Sequence, residues 1–478
     1  MPVQASSFYA ILQVFAACFT EPTFRNFTTI AVGWILCRDR HYISQAIRVG
    51  ISLGVSQHYS VFYRFFSRAQ WVPDELGKAL FLRLLRFIKE KRLTVLVDDT
   101  LCRRTGPYIW GAGMHHDAVA STYGRNAGVR RHVAFAFGHS WVILALWVPL
   151  PWNSLRGVAI PILFRLYRSK KLSPSEEYRK RTTLALELVR ILEAWTEESA
   201  RQVMLVGDCE YACSTVIKHL PARFYFTGPP VMDAALYTIP APVPARKRGR
   251  GAPRKKGDRL PSPKKMLSDP AYPWVKMTVI IYGRAVDIQI KTLVCQWYQV
   301  AGPRPVRIVI TRDPTGRIED RVYVCTDSKA TVEETLGVFS RRWSLEVTFY
   351  NTKQYLGLEH PQNGWGYLPD RRRQKKKPGP QPRGSKGQRA VERTLPLMLY
   401  LYGLIHLWYF EHGKPREDVA RARWLAPWYR QKRAPSFADM LDALRRHLAS
   451  ILEYSQDPAL HRVHQQLPDG KDPLMAAA

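Results

Sequence analysis

The chain has 478 residues, 46% of them hydrophobic and 12% aromatic, enough to fill a large core in one elaborated domain or in two to three. Its 72 Lys and Arg against 39 Asp and Glu leave a formal charge of +33, far beyond what solubility requires, and point to a polyanion as partner, nucleic acid first. A membrane surface or a ribosomal setting is the alternative for such charge, and clustering of the charge decides between them.

Seven cysteines, at 18, 37, 102, 209, 213, 295 and 325, contain no Cys-x-x-Cys pair. Cys209 and Cys213 lack a second ligand pair for zinc. All seven read as reduced thiols of a cytoplasmic, nucleoid-associated protein. The apolar run Phe8–Phe19 has no preceding positive charge, which argues against a signal peptide. The longest apolar run, Leu395–Phe410, contains His406 and is shorter than the roughly 20 residues that span a bilayer, so no membrane insertion is expected.

Residues 1–90 read as a helical, DNA-binding region, with helices over Phe8–Phe19, Phe24–Leu36, Ile43–Leu53 and Gln57–Phe66 and a turn at Gly54. Helix, glycine turn and helix is the outline of a helix-turn-helix, and plain helical packing fits it equally well. Arg64, Arg68 and Lys78 make the segment basic.

Leu93–Val97 is a near-continuous β-branched run that predicts a buried central strand, ending in Asp98-Asp99-Thr100. Carboxylates at the end of a buried strand are costly unless paired or bound to metal, which makes them site candidates; a turn-capping role is the plainer reading. Neighbouring strand residues point to opposite faces, so only one of the two aspartates belongs to a given site, and the residues alone leave open which. His132–Gly138 and Trp141–Leu150 predict a hairpin turning at Gly138-His139-Ser140. Pro174–Gln202 predicts a long helix capped by Ser175. Val203–Asp208 predicts a second strand ending in a carboxylate, with Cys209-Glu-Tyr-Ala opening a helix on which Glu210 reads as structural. Arg223–Thr227 predicts a further strand.

Residues 228–320 break this α/β rhythm. Arg246, Lys247, Arg248, Arg250, Arg254, Lys255 and Lys256 put seven cations into twelve residues with no acid. Strands are expected at Lys276–Tyr282, Val286–Val294, Val306–Thr311 and Arg321–Cys325, the last rejoining the main sheet.

The stretch Phe339–Lys353 then reads as one helix. At about 100° per residue, Phe339, Arg342, Glu346, Tyr350 and Lys353 share a face, while Leu336, Trp343 and Val347 pack it on a core. An exposed helix with an Arg342–Glu346 pair accounts for the same residues. The stretch is similar to the Tyr-x2-Arg-x3-Glu-x6-Lys signature of DDE transposases of bacterial insertion sequences. The matching residues are Phe339, where the family more often has Tyr, Arg342, Glu346 and Lys353, followed by Gln354-Tyr-Leu-Gly-Leu358 and Gln362.

The resemblance runs from about residue 93 to 413. It implies an α/β fold, an RNase H-like mixed sheet flanked by helices and interrupted by a β-rich insertion, behind an N-terminal helical domain. It also implies a catalytic, metal-binding triad of Asp98, Asp208 and Glu346 holding two Mg2+ ions, with Mn2+ able to substitute. The family's usual Asp-x-Thr pattern at the first strand favours Asp98 as ligand over Asp99, which becomes a supporting residue. Arg342 and Lys353 would hold phosphates, and Trp343 either stacks on a displaced base or packs in the core. The implied activity is cleavage of double-stranded DNA at the element's terminal repeats and transfer of the 3′-hydroxyl into target DNA, by a protein that is at least a dimer on DNA. A nuclease that cuts without joining and a DNA-binding regulator descended from a transposase are the rivals.

After the glutamate helix, Arg371, Arg372, Arg373, Lys375, Lys376 and Lys377 lead a second basic linker, nine cations in nineteen residues through Arg389, readable as a solvated tail or as a phosphate-tracking loop. Val391–His412 reads as a buried helix and Phe437–Tyr454 as an amphipathic one. The expected divisions are 1–90, 91–227, 228–320, 321–413 and 414–478.

Overall fold

The computed structural model describes residues 6–52, 54–105, 109–121, 132–240, 254–316, 318–361 and 384–454. Helices α1 (Ser7–Leu12), α2 (Glu21–Leu36), α3 (Ile43–Ser52), α4 (Ser60–Ser67) and α5 (Pro73–Leu84) open the chain. The run expected as a single helix over Phe8–Phe19 tightens into a 3-10 segment from Gln13. The sheet follows with β1 (Arg92–Arg103), β2 (Gly113–His116), β3 (Phe135–Leu150) and β4 (Asn153–Tyr167). After α6 (Arg181–Thr196) come β5 (Gln202–Val206), the short α7 (Ser214–Ile217), β6 (Phe224–Gly228) and α8 (Pro263–Met266). Next are β7 (Val275–Ile281), β8 (Arg284–Gln296), α9 (Tyr298–Ala301), β9 (Pro305–Arg312) and β10 (Arg321–Cys325). The chain closes with α10 (Val332–Ser340), α11 (Trp343–Tyr355), α12 (Gly384–His412), α13 (Pro415–Leu425) and α14 (Phe437–Tyr454).

The strands form one mixed ten-stranded sheet in the order β2-β3-β1-β5-β6-β10-β9-β8-β7, with β4 also on β3. β3 runs antiparallel to β1, whereas β1, β5 and β6 are parallel. Together with β4 this is the RNase H-like arrangement expected from the sequence. The insertion does not leave the sheet: β10 pairs with β6, and β9, β8 and β7 extend the same edge outward. A small second core of Val279, Ile288, Ile290, Val309, Tyr323, Val332 and Leu336 joins these strands to α10.

Several expectations are corrected. The predicted turn at Gly138-His139-Ser140 lies inside a continuous β3. Gly138 serves close approach there, since a Cβ on it would sit 2.2 Å from the Cys102 carbonyl oxygen. The true hairpin joins β3 to β4, a strand missed because Pro161 interrupts its apolar run. Pro161 is tolerated because β4 borders the sheet and bulges there, Leu144 facing Leu163 and Ala145 facing Pro161. The helix expected from Pro174 starts only at Arg181, Glu177 being drawn back to Arg168 instead. The helix after Asp208 opens at Ser214, not Cys209. Two helices replace the single one expected over Phe339–Lys353.

The N-terminal helices share the main hydrophobic core with the sheet and α12. One residue does much of that joining. Arg393, on α12 and only 8% exposed, donates to the carbonyls of Phe66 (3.2 Å) in the last turn of α4 and of Ala69 (2.8 Å) and Trp71 (2.6 Å) just past it. Its guanidinium also lies over the Trp71 ring at 4.8 Å. Among the described residues no helix is long and apolar enough to cross a membrane, and all seven cysteines are free thiols. Because Arg393→Ala orphans three carbonyls, two of them in buried hydrogen bonds, it should destabilise the protein by at least about 2 kcal/mol. A lowered urea midpoint at unchanged m-value is the expected reading.

Candidate active site

Val95, Leu96 and Val97 are fully buried, and β1 continues past them through Asp98 and Asp99 to Arg103. The aspartates are therefore mid-strand, not at its end. What ends is the neighbour: pairing with β5 stops at Leu96–Val206, while pairing with β3 runs on to Arg103–Gly138. The notch left beside β1 is where Asp208 emerges. Its Oδ1 accepts the backbone N–H groups of Glu210 (3.0 Å) and Tyr211 (3.4 Å), a local turn that fixes the carboxylate. Gly207 permits this, since a Cβ there would meet the Tyr211 Cβ at 2.9 Å and Val97 at 3.0 Å.

The third carboxylate arrives on α11. A capping box between Thr331 and Glu334 starts α10, and the chain breaks at Arg341-Arg342 before α11 begins. Arg341 anchors that break to the sheet, donating to Thr94 Oγ1 (2.7 Å) and to both oxygens of Glu90 (3.0 and 3.1 Å), with its guanidinium 3.9 Å over Trp147. Thr348 bonds the Ala159 carbonyl of β4 at 2.8 Å and the Tyr402 hydroxyl of α12 at 3.3 Å. The buried face of α11 is Leu345, Thr348, Phe349 and Thr352. Trp343 and Val347, expected in the core, are 54% and 40% exposed, because the face that α11 packs inward is the one carrying Leu345 and Thr348.

Arg342 ties the set together, with Nη1 2.8 Å from Asp98 Oδ2 and Nη2 2.5 Å from Glu346 Oε1. Burial pushes the Asp98 carboxyl up to about 7, with Asp208 and Asp99 adding to the rise and Arg342 opposing it. Burial works against the Arg342 charge, but Asp98, Glu346 and Asp208 more than offset it and raise its pKa. Asp98 and Asp99 point to opposite faces of β1. Asp99 faces Ser140 (3.5 Å) and Arg181 (3.5 Å), and Arg181 also reaches Glu210 at 3.9 Å. Burial raises the Asp99 carboxyl as well.

Lys353 does not point into the cleft as expected of a phosphate ligand. Its Nζ donates to the Leu101 carbonyl at 2.7 Å and pairs with Glu359 at 3.4 Å, so it clamps α11 to the far end of β1. Phe339 sits at the end of α10 with its ring 4.8 Å from Tyr323. Of the basic positions, Arg254 pairs with Asp258 at 2.8 Å, Lys255 is exposed, and Lys256 lies 4.6 Å over the Tyr237 ring. Arg246, Lys247, Arg248, Arg250 and the run Arg371–Lys377 lie outside the described residues.

Two participants have no sequence signal. Arg181 was hidden inside a misplaced helix. Tyr211 is fully buried, its hydroxyl makes no hydrogen bond among the described residues, and after burial the charges of Asp99, Asp98, Glu210 and Asp208 raise its pKa. As a donor set for a divalent cation, the carboxylates offer the hard oxygens Mg2+ and Mn2+ prefer, and their mutual repulsion calls for a cation. With Arg342 lying between Asp98 and Glu346, no three Asp, Glu, His or Cys side chains among the described residues form a ready metal cage. The chemistry of the donors suits such a cation, while Asp98 and Glu346 are taken up by Arg342.

The Asp98 shift makes a prediction about the metal-free protein. A carboxyl with a folded pKa of about 7 holds a proton that the unfolded chain has already lost above about pH 4. Stability contributed by this group is therefore present below pH 4 and falls as the pH rises toward 7, by at most about 4 kcal/mol. In EDTA, Asp98→Asn should flatten the decline of Tm across that window; an unchanged slope would mean another group titrates.

The family model described as DDE superfamily endonuclease matches residues 14–297, a span that takes in Asp98 and Asp208 and ends before the helix of Glu346. Among curated proteins, a search finds no match to the chain.

Proposed function

Because the chain belongs to the DDE superfamily of endonucleases, enzymes that act on DNA with divalent metal ions, we propose that it is an insertion-sequence transposase that cuts DNA at its element's terminal repeats and joins the ends to target DNA. The observation that carries this reading is the meeting of Asp98 and Glu346, far apart in sequence, on the two ends of one guanidinium, with Asp208 emerging from the adjacent parallel strand.

In this reading Asp98, Asp208 and Glu346 hold two Mg2+ ions, or Mn2+ in their place. Such ions, when bound, lower the pKa of an attacking oxygen and stabilise the charge on a leaving one. Asp98 is steadied by the Asp99 N–H on its Oδ1, 2.9 Å away, and Asp208 by its turn. Arg342, displaced from the carboxylates, has the fork geometry to take a phosphate oxygen instead, while Lys353 keeps α11 in register with β1. In the first step water adds to phosphorus and the P–O3′ bond breaks, freeing a 3′-hydroxyl and leaving a 5′-phosphate. In the second, that hydroxyl adds to a target phosphate and a target 3′-oxygen leaves. Two ends must be held together, which calls for at least a dimer on DNA.

Asp208→Ala and Glu346→Ala should each abolish cleavage and joining in Mg2+ or Mn2+ while DNA binding persists, because affinity resides in the basic surface. Cleavage by either variant above background would overturn the assignment. Products that are cut but never joined, made by the unaltered protein on repeat-bearing substrate, would identify a nuclease instead. Asp98→Asn should eliminate single-turnover cleavage, whereas Asp99→Asn, which touches only the Arg181 side, should retain measurable activity. Neutralising the runs 246–257 and 371–389 should flatten the salt dependence of duplex binding, by about 0.9 in slope for each phosphate whose charge the protein no longer neutralises.

A further inference from the structure

The end of α13 and the turn that follows it carry the most exposed aromatic side chains among the described residues. Trp424 is 75% exposed and Trp428 74%, with Leu425 and Tyr429 beside them also more than half exposed. Exposed tryptophans at this level leave a large apolar area in water. The Trp428 and Tyr429 rings are tilted at 55° with centroids 6.1 Å apart, so they do not cover each other's faces. Trp424 makes no ring contact among the described residues.

The setting is basic. Residues 420–433 contain Arg421, Arg423, Arg430, Lys432 and Arg433 and no acid, and Arg430 and Arg433 form no ion pair among the described residues. The turn is also built to stay in shape. Lys432 N–H donates to the Tyr429 carbonyl (3.0 Å), Tyr429 N–H to that of Ala426 (2.9 Å), and Arg423 Nε to that of Lys432 (2.9 Å). Lys432 Nζ pairs with Asp439 at 2.6 Å, and Asp439 in turn accepts from Ser436 N–H and Oγ. Rigid, open rings among unpaired guanidinium groups lower the ordering cost of binding.

Position links this surface to the candidate active site. Tyr355, at the end of α11, packs on Phe437 of α14 with ring centroids 6.1 Å apart. Burial first, then Tyr350, Asp439 and Tyr429, push its hydroxyl up. The outward face of α11 from the site to that ring shows Trp343, Val347 and Tyr350.

We propose that the surface formed by Trp424, Trp428, Tyr429, Arg430 and Arg433 binds an unpaired DNA strand, stacking its bases on the open rings while the guanidinium groups hold its phosphates. A duplex keeps its bases inside, so it satisfies the arginines and leaves the tryptophans in water; only an unpaired strand satisfies both. A second copy of this chain is the poorer occupant, since it brings the same unpaired cations to a protein already at +33. The proposal rests on the reading of the chain as a DNA-processing enzyme.

The test uses the full chain in EDTA and reads anisotropy of a labelled oligothymidylate of about 16 nucleotides against a duplex of equal length. Trp424→Ala/Trp428→Ala should weaken single-strand binding at least about tenfold, since each stacked base contributes about 1–3 kcal/mol, and duplex binding less than about threefold. Trp424→Phe/Trp428→Phe, which keeps flat rings, should recover most of the loss, and it decides the matter if the alanine protein melts early. Single-strand affinity unchanged in both variants would overturn the proposal, as would a shift in sedimentation toward a smaller species with single-strand affinity intact, which marks a protein–protein face. An Asp98→Asn protein that neither cuts nor joins should still bind the oligothymidylate, so failure of the cleavage reading and failure of this one are separate results.

Discussion

Everything in the candidate site follows from carboxylates crowded into a poorly solvated notch. Asp98 and Asp99 are adjacent on one strand, Asp208 leaves the next strand beside them, and Glu346 is brought over by α11. Burying even one such charge is costly unless it is paired. The fold answers with one guanidinium on each face of β1: Arg342 between Asp98 and Glu346, and Arg181 between Asp99 and Glu210. The two faces share Asp208, whose charge raises both aspartates. Local repulsion is thereby turned into a demand for positive charge at one place, which is the property a phosphoryl-transfer site needs.

That demand is met only because α11 is fixed to better than the length of a hydrogen bond. Three anchors hold it, and none is an apolar contact alone: Arg341 to β1 and the Trp147 face, Thr348 to β4 and α12, and Lys353 to the Leu101 carbonyl. Arg341 and Lys353 grip β1 on either side of Asp98, so sliding of the helix along the strand breaks charge-assisted bonds of about 1.5–3 kcal/mol each. Lys353 accordingly belongs to the scaffold, although its place in the sequence signature suggested direct contact with phosphate.

β5, β6 and the buried start of β1 were legible because they are short apolar runs with sharp ends, whereas the long β3 was split at Gly138 and β4 was missed. Two kinds of information were missing. Strand continuation past a neighbour's end is a property of pairing: nothing in Leu93–Thr100 tells that β3 runs alongside as far as Arg103 while β5 stops at Val206. Glycine meaning is also contextual, and Gly138 looked like a turn when it allows two backbones to touch. The carboxylates were visible as residue types at strand ends, but their partners were not, since Arg181 and Tyr211 acquire their roles only through contacts between distant segments. Trp343 and Val347 were placed inward by taking the side of Leu336 as the buried face of the whole stretch, whereas α11 turns Leu345, Thr348 and Phe349 inward against β4 and α12.

The guanidinium of Arg342 therefore has two consequences that oppose each other. It opposes the rise that burial and the neighbouring aspartates impose on the Asp98 carboxyl, and it pairs with Glu346 at the same time. It also fills the position a cation would take, so any divalent ion must bring more favourable energy than a buried, bidentate ion pair already supplies. A metal alone gains the carboxylates but strands the arginine without a counter-ion in a half-buried cleft. In the proposed reading, a metal arriving with a phosphate gains the carboxylates and gives the arginine a new anion, which favours the exchange in the presence of DNA. Coupling of metal occupancy to substrate is, in that reading, a consequence of charge balance in the notch, with Arg342 exchanging one anion for another.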